Sequence, residues 1–292
     1  MFELVQVAEN TYYIDCPAKI GIYRLSDKKV ILIDSGNDKE AGRKILKIIN
    51  ENNWTLGAII NTHSNADHIG GNKFLTDRTG CKIYANGIER AFCEFPILEP
   101  AFLFGGFPNK HLRHKFLMAE SSHVNDMEDL ALPPDMETFP LKGHFFGMIG
   151  IKTPDNVYFL ADCISSEAIL KKYPMSFIYD VAEYLKTLDF IETLNGELFI
   201  PAHTDTVKDI RPLININRQM VFEIIDGIKH ICKKPSFFEA ILKEMFDKYD
   251  IPMNVSQYAL VGSTIKSYLS YMVDNNILDI EIQNNYLLWK LV

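Results

Sequence analysis

Cysteine is scarce in this chain and badly placed for cross-linking. Its five copies (Cys16, Cys81, Cys93, Cys163, Cys232) are odd in number and widely spaced, and no Cys-x-x-Cys pair occurs. That excludes a disulfide framework and a zinc knuckle, and it makes reduced thiols in a cytoplasmic setting the expectation. Positive charge is also short: 30 Lys and Arg stand against 38 Asp and Glu, a net −8. Such an acidic chain does not attract nucleic acid or an anionic membrane by charge alone. No uninterrupted apolar run approaches the roughly 20 residues of a membrane span. The opening Met1-Phe2-Glu3-Leu4 lacks the basic and apolar segments of a secretory leader, so none is expected. Low-complexity tracts and tandem repeats are absent from the sequence as well.

What is present is a large apolar fraction, 47% of 292 residues. It suffices for one sizeable domain with an appendage. Short runs rich in Ile, Val and Tyr predict strands at 11–16, 20–25 and 30–33, then 58–60, 81–85, 138–141, 148–152, 157–160 and 198–201. Helical spacing appears at 39–52 and 182–194, and Gly70-Gly71 opens a helix that ends near Gly80. Strands alternating with helices give an α/β class. Between about 90 and 137 the pattern dissolves into aromatics and prolines, too long for an ordinary connection, which predicts a lid or an inserted subdomain. Beyond 209, helical patterns at 210–232, 236–249 and 256–275 precede two short strands, 278–282 and 286–289. Gln283-Asn284-Asn285 is their expected turn. Three helices and a hairpin resemble a winged-helix module. The division predicted is therefore 1–208 and 209–292.

The segment His63-Ser64-Asn65-Ala66-Asp67-His68-Ile69-Gly70-Gly71 concentrates the chemistry. Two imidazoles and a carboxylate fall within six residues, directly after a buried strand. These are donors that zinc and iron accept. Composition alone predicts only about 0.03 occurrences of His-x-x-x-Asp/Glu-His in this chain. His144, Asp162 and His203 each follow a predicted strand, where an α/β scaffold builds sites.

In this order, Leu32-Ile33-Asp34-Ser35-Gly36, Thr62-His63 to Gly71, Gly143-His144, Leu160-Ala161-Asp162 and Pro201-Ala202-His203 resemble the metallo-β-lactamase superfamily over roughly residues 1–208. The resemblance implies a four-layer αββα sandwich with metals at one sheet edge. It assigns His63 and His144 to a first metal and Asp67, His68 and His203 to a second, with Asp162 bridging and Asp34 supporting from below. Zn2+, one or two ions, is the expected cofactor, with Fe or Mn as alternatives. One position departs from the family pattern: Asn65 stands where a histidine is usual. An amide oxygen is a weaker donor than imidazole, so Asn65 contacts either a loosely held first metal or the substrate.

The implied activity is hydrolysis of a small-molecule ester, thioester, lactone or amide-like bond through a metal-bound hydroxide, with Asp67 orienting it and passing a proton to the leaving group. An iron-dependent oxidase or dioxygenase on the same scaffold, a metal-dependent nuclease and a ligand sensor without activity are the alternatives. Nine basic residues balance nine acidic ones between Arg211 and Lys290, which speaks against a phosphate-gripping tail. The tail is expected to pack on the catalytic domain or in a homodimer. Among the remaining candidates, Cys163 reads as buried filler, and His123 and His230 as solvated. Arg113 or Lys115, in the one basic run, is a candidate contact for an anionic group. The insertion leaves after the strand at Cys81 and returns just before His144, so it is expected over the metal edge. Its deletion should then alter substrate binding more than metal content.

Overall fold

The central strands of the first sheet bury both faces, alternate side chains entering two different cores. In the computed structural model, which describes residues 2–292, strands β1 (Glu3–Gln6), β2 (Thr11–Asp15), β3 (Ile20–Arg24) and β4 (Lys29–Ile33) form an antiparallel meander. Helix α1 (Lys39–Glu51) then crosses to β5 (Thr55–Ile60), parallel to β4. Its N-cap is Asp38, whose carboxylate accepts from the Ala41 amide. The short helix α2 (Ala66–Ile69) and α3 (Asn72–Thr79) lead to β6 (Lys82–Ala85). After α4 (Glu89–Glu94) and α5 (Leu98–Phe104), the two-residue β7 (Asn125–Asp126) completes a seven-stranded sheet in sequential order.

A second sheet has the order β11-β10-β9-β8. Its strands are β8 (Glu137–Pro140), β9 (Ile149–Lys152), β10 (Val157–Ala161) and β11 (Leu198–Pro201), with α6 (Glu167–Lys172) and α7 (Val181–Glu192) between the last two. The sheets meet face to face. Ile31, Ile33, Ala58 and Ile60 of the first pack with Ile149, Ile151, Phe159 and Ile200 of the second. Alternate residues point outward, as the pleat requires: Leu32 and Ile59 meet Ile45 and Ile49 of α1 and Leu75 of α3. On the far side, Tyr158, Leu160 and Phe199 meet Leu188 and Ile191 of α7. The layers are therefore α, β, β, α.

The chain continues as α8 (Arg211–Ile231), β12 (Ser236–Phe237), α9 (Phe238–Lys248), α10 (Val255–Asp274) and the hairpin β13 (Leu278–Gln283) and β14 (Tyr286–Leu291). These helices share the core on the outer face of the second sheet: Ile224, Ile241, Ile265 and Tyr268 belong to the same buried cluster as Leu160 and Leu188. α10 also reaches α5, where Ala259 and Leu260 pack with Phe102 and Leu103. No helix among the described residues is long and apolar enough to cross a membrane.

Two expectations need correction. The hairpin turn is Asn284-Asn285 alone, because Gln283 pairs with Tyr286. Both asparagines take positive φ, 51° and 65°, the conformation of a two-residue turn whose twist suits the strands. The insertion, read as patternless, begins with two helices. At six and seven residues, separated by Pro96, they are too short for a periodic signal.

Candidate metal centre

The site begins where β4 stops. Asp34 takes φ 65°, and its amide donates to the Ile60 carbonyl (2.8 Å), tying the ends of β4 and β5 together. Its buried carboxylate accepts from the Thr62 amide (2.8 Å), the Thr62 hydroxyl (2.7 Å) and His68 Nδ1 (2.8 Å). One side chain therefore fixes both the loop after β5 and the ring at its far end. Gly70 and Gly71 let α2 press on the turn after Asp34: a Cβ at either would lie 2.2 Å from backbone atoms of Asn37 or Ser35.

The other donors arrive from the second sheet. Gly143, at φ 116° with room for no Cβ beside Tyr184, delivers His144, whose Nδ1 donates to the Phe177 carbonyl at 3.0 Å. Ala161 at the end of β10 also takes a positive φ, 48°, and turns Asp162 inward. His203 follows β11 and donates from Nδ1 to the Pro17 carbonyl at 2.8 Å. Strain of this kind is concentrated at positions that aim functional groups.

The result is two donor groups, His63 with His144 and Asp162, and Asp67 with His68 and His203; the ligand atoms of each lie within 4.8 Å of one another. Asp162 stands between them. Its Oδ1 is 3.1 Å from His68 Nε2, and its Oδ2 is 3.2 Å from His203 Nε2 and 3.7 Å from His144 Nε2. His203 Nε2 is also 3.2 Å from Asp67 Oδ2. All six residues singled out in the sequence thus share one locus, with Asp34 beneath it. Asn65 lies at its rim, Oδ1 3.1 Å from His144 Nε2.

These atoms suit a cation. His63 Nε2, His68 Nε2 and Asp162 Oδ1 are buried without a hydrogen-bond partner; the 3.1 Å approach of the last two is too poorly aligned to be a bond. Orphaned polar atoms cost about 1–3 kcal/mol each, a cost that a metal ligand does not incur. With Nδ1 of His68, His144 and His203 committed elsewhere, each Nε2 is left for the ion.

Electrostatics divide the rings. Burial, reinforced by neighbouring His68, holds His63 well below the ordinary histidine range, and burial lowers His144. Burial would lower His68 and His203 too, but Asp162 with Asp34 and Asp67 outweighs it for His68, which rises well above that range. Asp162 and Asp67 likewise carry His203 up to about 10. Both aspartates are pushed below the usual carboxylate range: burial would raise them, and His68 and His203 overcome it.

A cleft of about 360 Å³ opens over Asp67, His144, Asp162 and His203, walled by Ile164, Ile169, Phe177 and Leu260. Through Tyr173, Ser176, Phe177 and Leu260 it adjoins a groove of about 660 Å³ bordered by Lys171, Lys172, Asn254 and Gln257. Helix α10 thus supplies part of the wall, which no sequence signal announced. Two further carboxylates escape the sequence pattern. Glu89 of α4 accepts from the Ser64 amide (2.9 Å), the Ser64 hydroxyl (2.5 Å) and the Gly147 amide (2.6 Å). Glu99 of α5 accepts from Asn65 Nδ2 at 2.9 Å. A lone Glu in the apolar run 97–104 was the one available hint. Outside the cleft, Lys115 is engaged by Asp38 at 3.0 Å, Arg113 lies over Phe107, and His123 meets Glu94 at 3.0 Å.

A layered αββα frame with paired imidazole and carboxylate donors at one edge defines a class of metal-binding scaffold. Residues 13–203 match the family model described as the metallo-β-lactamase superfamily, and the chain belongs to that superfamily. A β-lactamase domain protein from Burkholderia ambifaria has the same fold at a TM-score of 0.77 and 15% identity, over 99% of this chain and 94% of that one. A metallo-β-lactamase family protein from Thermus thermophilus gives 0.71 at 14% identity, over 100% and 98%. Both alignments include α8–α10. Over a shorter stretch, the chain is 40% identical across 80 residues to a hydroxyacylglutathione hydrolase of Erythrobacter litoralis, a match spanning 23% of this chain and 32% of that relative.

Proposed function

We propose that the chain is a metal-dependent hydrolase of small acyl compounds, with a thioester or ester as the scissile bond. The observation that carries this reading is the pair of donor groups meeting at Asp162 on the floor of a largely apolar cleft. His63, His144 and Asp162 would hold one divalent metal, Asp67, His68 and His203 the other, and zinc suits this nitrogen and oxygen set. Such ions supply an activated water nucleophile and polarisation of the acyl oxygen.

The chain's own residues do the rest. Asp67, ionised and part-exposed beside the cleft, orients the attacking water, takes its proton and returns it to the leaving group. Asp34 holds His68 in the tautomer that leaves Nε2 free. Ile164, Ile169, Phe177 and Leu260 exclude bulk water around the acyl carbon, and the neighbouring groove receives the leaving-group side of the molecule. The Erythrobacter relative is named a hydroxyacylglutathione hydrolase; an acyl group on the glutathione sulfur is a thioester, which supports placing thioesters first. The neutral charge balance of α8–α10 and the hairpin gives no support to a nuclease.

Zinc-loaded protein assayed against thioesters, esters and lactones of graded acyl length tests the reading. Hydrolysis of at least one class is expected, lost in Asp67→Asn while the His63, His144 and Asp162 group keeps its metal and the other group binds more weakly. A panel hydrolysed no faster by the loaded protein than by buffer would sink it.

A further inference from the structure

Asn65 occupies the N-cap position of α2, where an asparagine ordinarily bonds the helix's own amides. Here its side chain makes no cap bond. It turns outward instead. Nδ2 donates to Glu99 at 2.9 Å, and Oδ1 lies 3.1 Å from His144 Nε2. The second contact is peculiar. His144 Nδ1 faces a carbonyl, which can only accept, so in the neutral ring the proton sits on Nδ1 and Nε2 carries a lone pair. An amide oxygen has no proton either. Two acceptors thus face each other, an arrangement that favours a cation close to both.

The amide holds this unfavourable direction because its other end is anchored. Glu99 is buried on α5, where burial raises its carboxyl well above the usual carboxylate range, and its Oε1 accepts from Asn65 Nδ2. Turned the other way, the amide would set its own oxygen against Oε1, acceptor against acceptor. We infer that Glu99 is a positioning residue for the first metal pocket, fixing the Asn65 amide so that Oδ1 joins His144 Nε2, His63 and Asp162 as a donor.

Glu89 works beside it. Its bonds to Ser64 and Gly147 clamp the loop bearing His63 and Asn65 to the loop bearing His144. The helices α4 and α5 are accordingly part of the metal centre's framework, which bears against the expectation that deleting the insertion alters substrate binding more than metal content. Asn65 in place of a histidine then ceases to be a plain loss, because an anchored amide is a better donor than a free one.

The inference rests on the two-metal reading above, so its test reads metal affinity directly. Metal-stripped protein is titrated with Co2+, following the visible absorption of the bound ion and competition with a chromogenic chelator, while thermal unfolding checks the fold. Glu99→Leu removes the acceptor and leaves no buried charge behind. It should weaken one of the two equivalents by about 10–100-fold, the usual effect of losing a partner behind a ligand, and leave the other unchanged. Glu99→Gln retains an acceptor oxygen and should stay within about threefold of wild type. In an Asn65→Ala background, Glu99→Leu should have no further effect. Unchanged affinity for both equivalents in folded Glu99→Leu, or a full Glu99→Leu effect persisting in Asn65→Ala, would overturn the inference. A protein that shows these metal responses but hydrolyses nothing would leave Glu99 in its role and remove only the proposed activity.

Discussion

Asp34→Asn is the sharpest perturbation of the framework beneath the metal centre. In the native chain Oδ1 accepts from the Thr62 amide, while Oδ2 accepts from both the Thr62 hydroxyl and His68 Nδ1. Asparagine keeps the shape and one acceptor. If its oxygen serves the Thr62 amide, its Nδ2 points at His68 Nδ1, donor against donor. In the neutral ring needed to ligate, this is relieved by moving the proton to Nε2, the atom that faces Asp162 and would bind metal. The hydroxyl of Thr62 can turn to accept, so the rest of the loop stays satisfied. The cost therefore falls on metal binding: a 10–100-fold loss at the Asp67, His68 and His203 group, equivalent to about 1.4–2.7 kcal/mol. Competition between metal-stripped protein and a chromogenic chelator measures it, and an unfolding curve separates a lost ligand from a lost fold. A folded Asp34→Asn protein that takes up both equivalents at wild-type affinity would refute the tautomer argument.

Further outcomes follow from single contacts. Gly143→Ala places a Cβ 2.3 Å from the Tyr184 backbone at φ 116°; strain of at least about 1–3 kcal/mol should lower the melting temperature by several degrees, and an unshifted curve would contradict this. Asn65→His should tighten the weaker metal, since imidazole is the better donor; unchanged stoichiometry with collapsed hydrolysis would assign Asn65 to the substrate instead. His203, raised to about 10 in the metal-free protein, is protonated at pH 8 and must lose that proton to ligate. Metal binding should therefore strengthen as pH rises toward 10 and release protons, read as buffer-dependent heats in calorimetry; heats independent of the buffer would count against it. By the same sign, the metal-free fold keeps the His203 contribution below about 6.5 and loses it as pH climbs through about 10.

The strands and the donor residues at their ends were legible because both signals are local. Val157–Ala161 is fully buried and reads as a core strand, and Asp162 at its end stands out against it. Such runs and the helices between them read as an α/β class, and the αββα layering is what the resemblance to the family implied. Glu99 and Glu89 were illegible for the opposite reason. Their partners Asn65, Ser64 and Gly147 lie 25 to 58 residues away, and nothing in a short helix reports such a partner. Leu260 on α10 likewise resembles any core leucine until the fold brings it over Asp162. The turn at Asn284-Asn285 was misjudged by one residue because Gln283 tolerates either a strand or a loop. Lys115 looked available for an anion, whereas Asp38 had already engaged it.

Anomalous diffraction from crystals of zinc-loaded protein, recorded on both sides of the zinc edge, bears most directly on the paired-metal claim. The account predicts two peaks per chain, one among His63, His144 and Asp162 and one among Asp67, His68 and His203, with zinc–nitrogen distances of about 2.0–2.1 Å. No peak at either donor group, or ions bound only elsewhere on the surface, would contradict it.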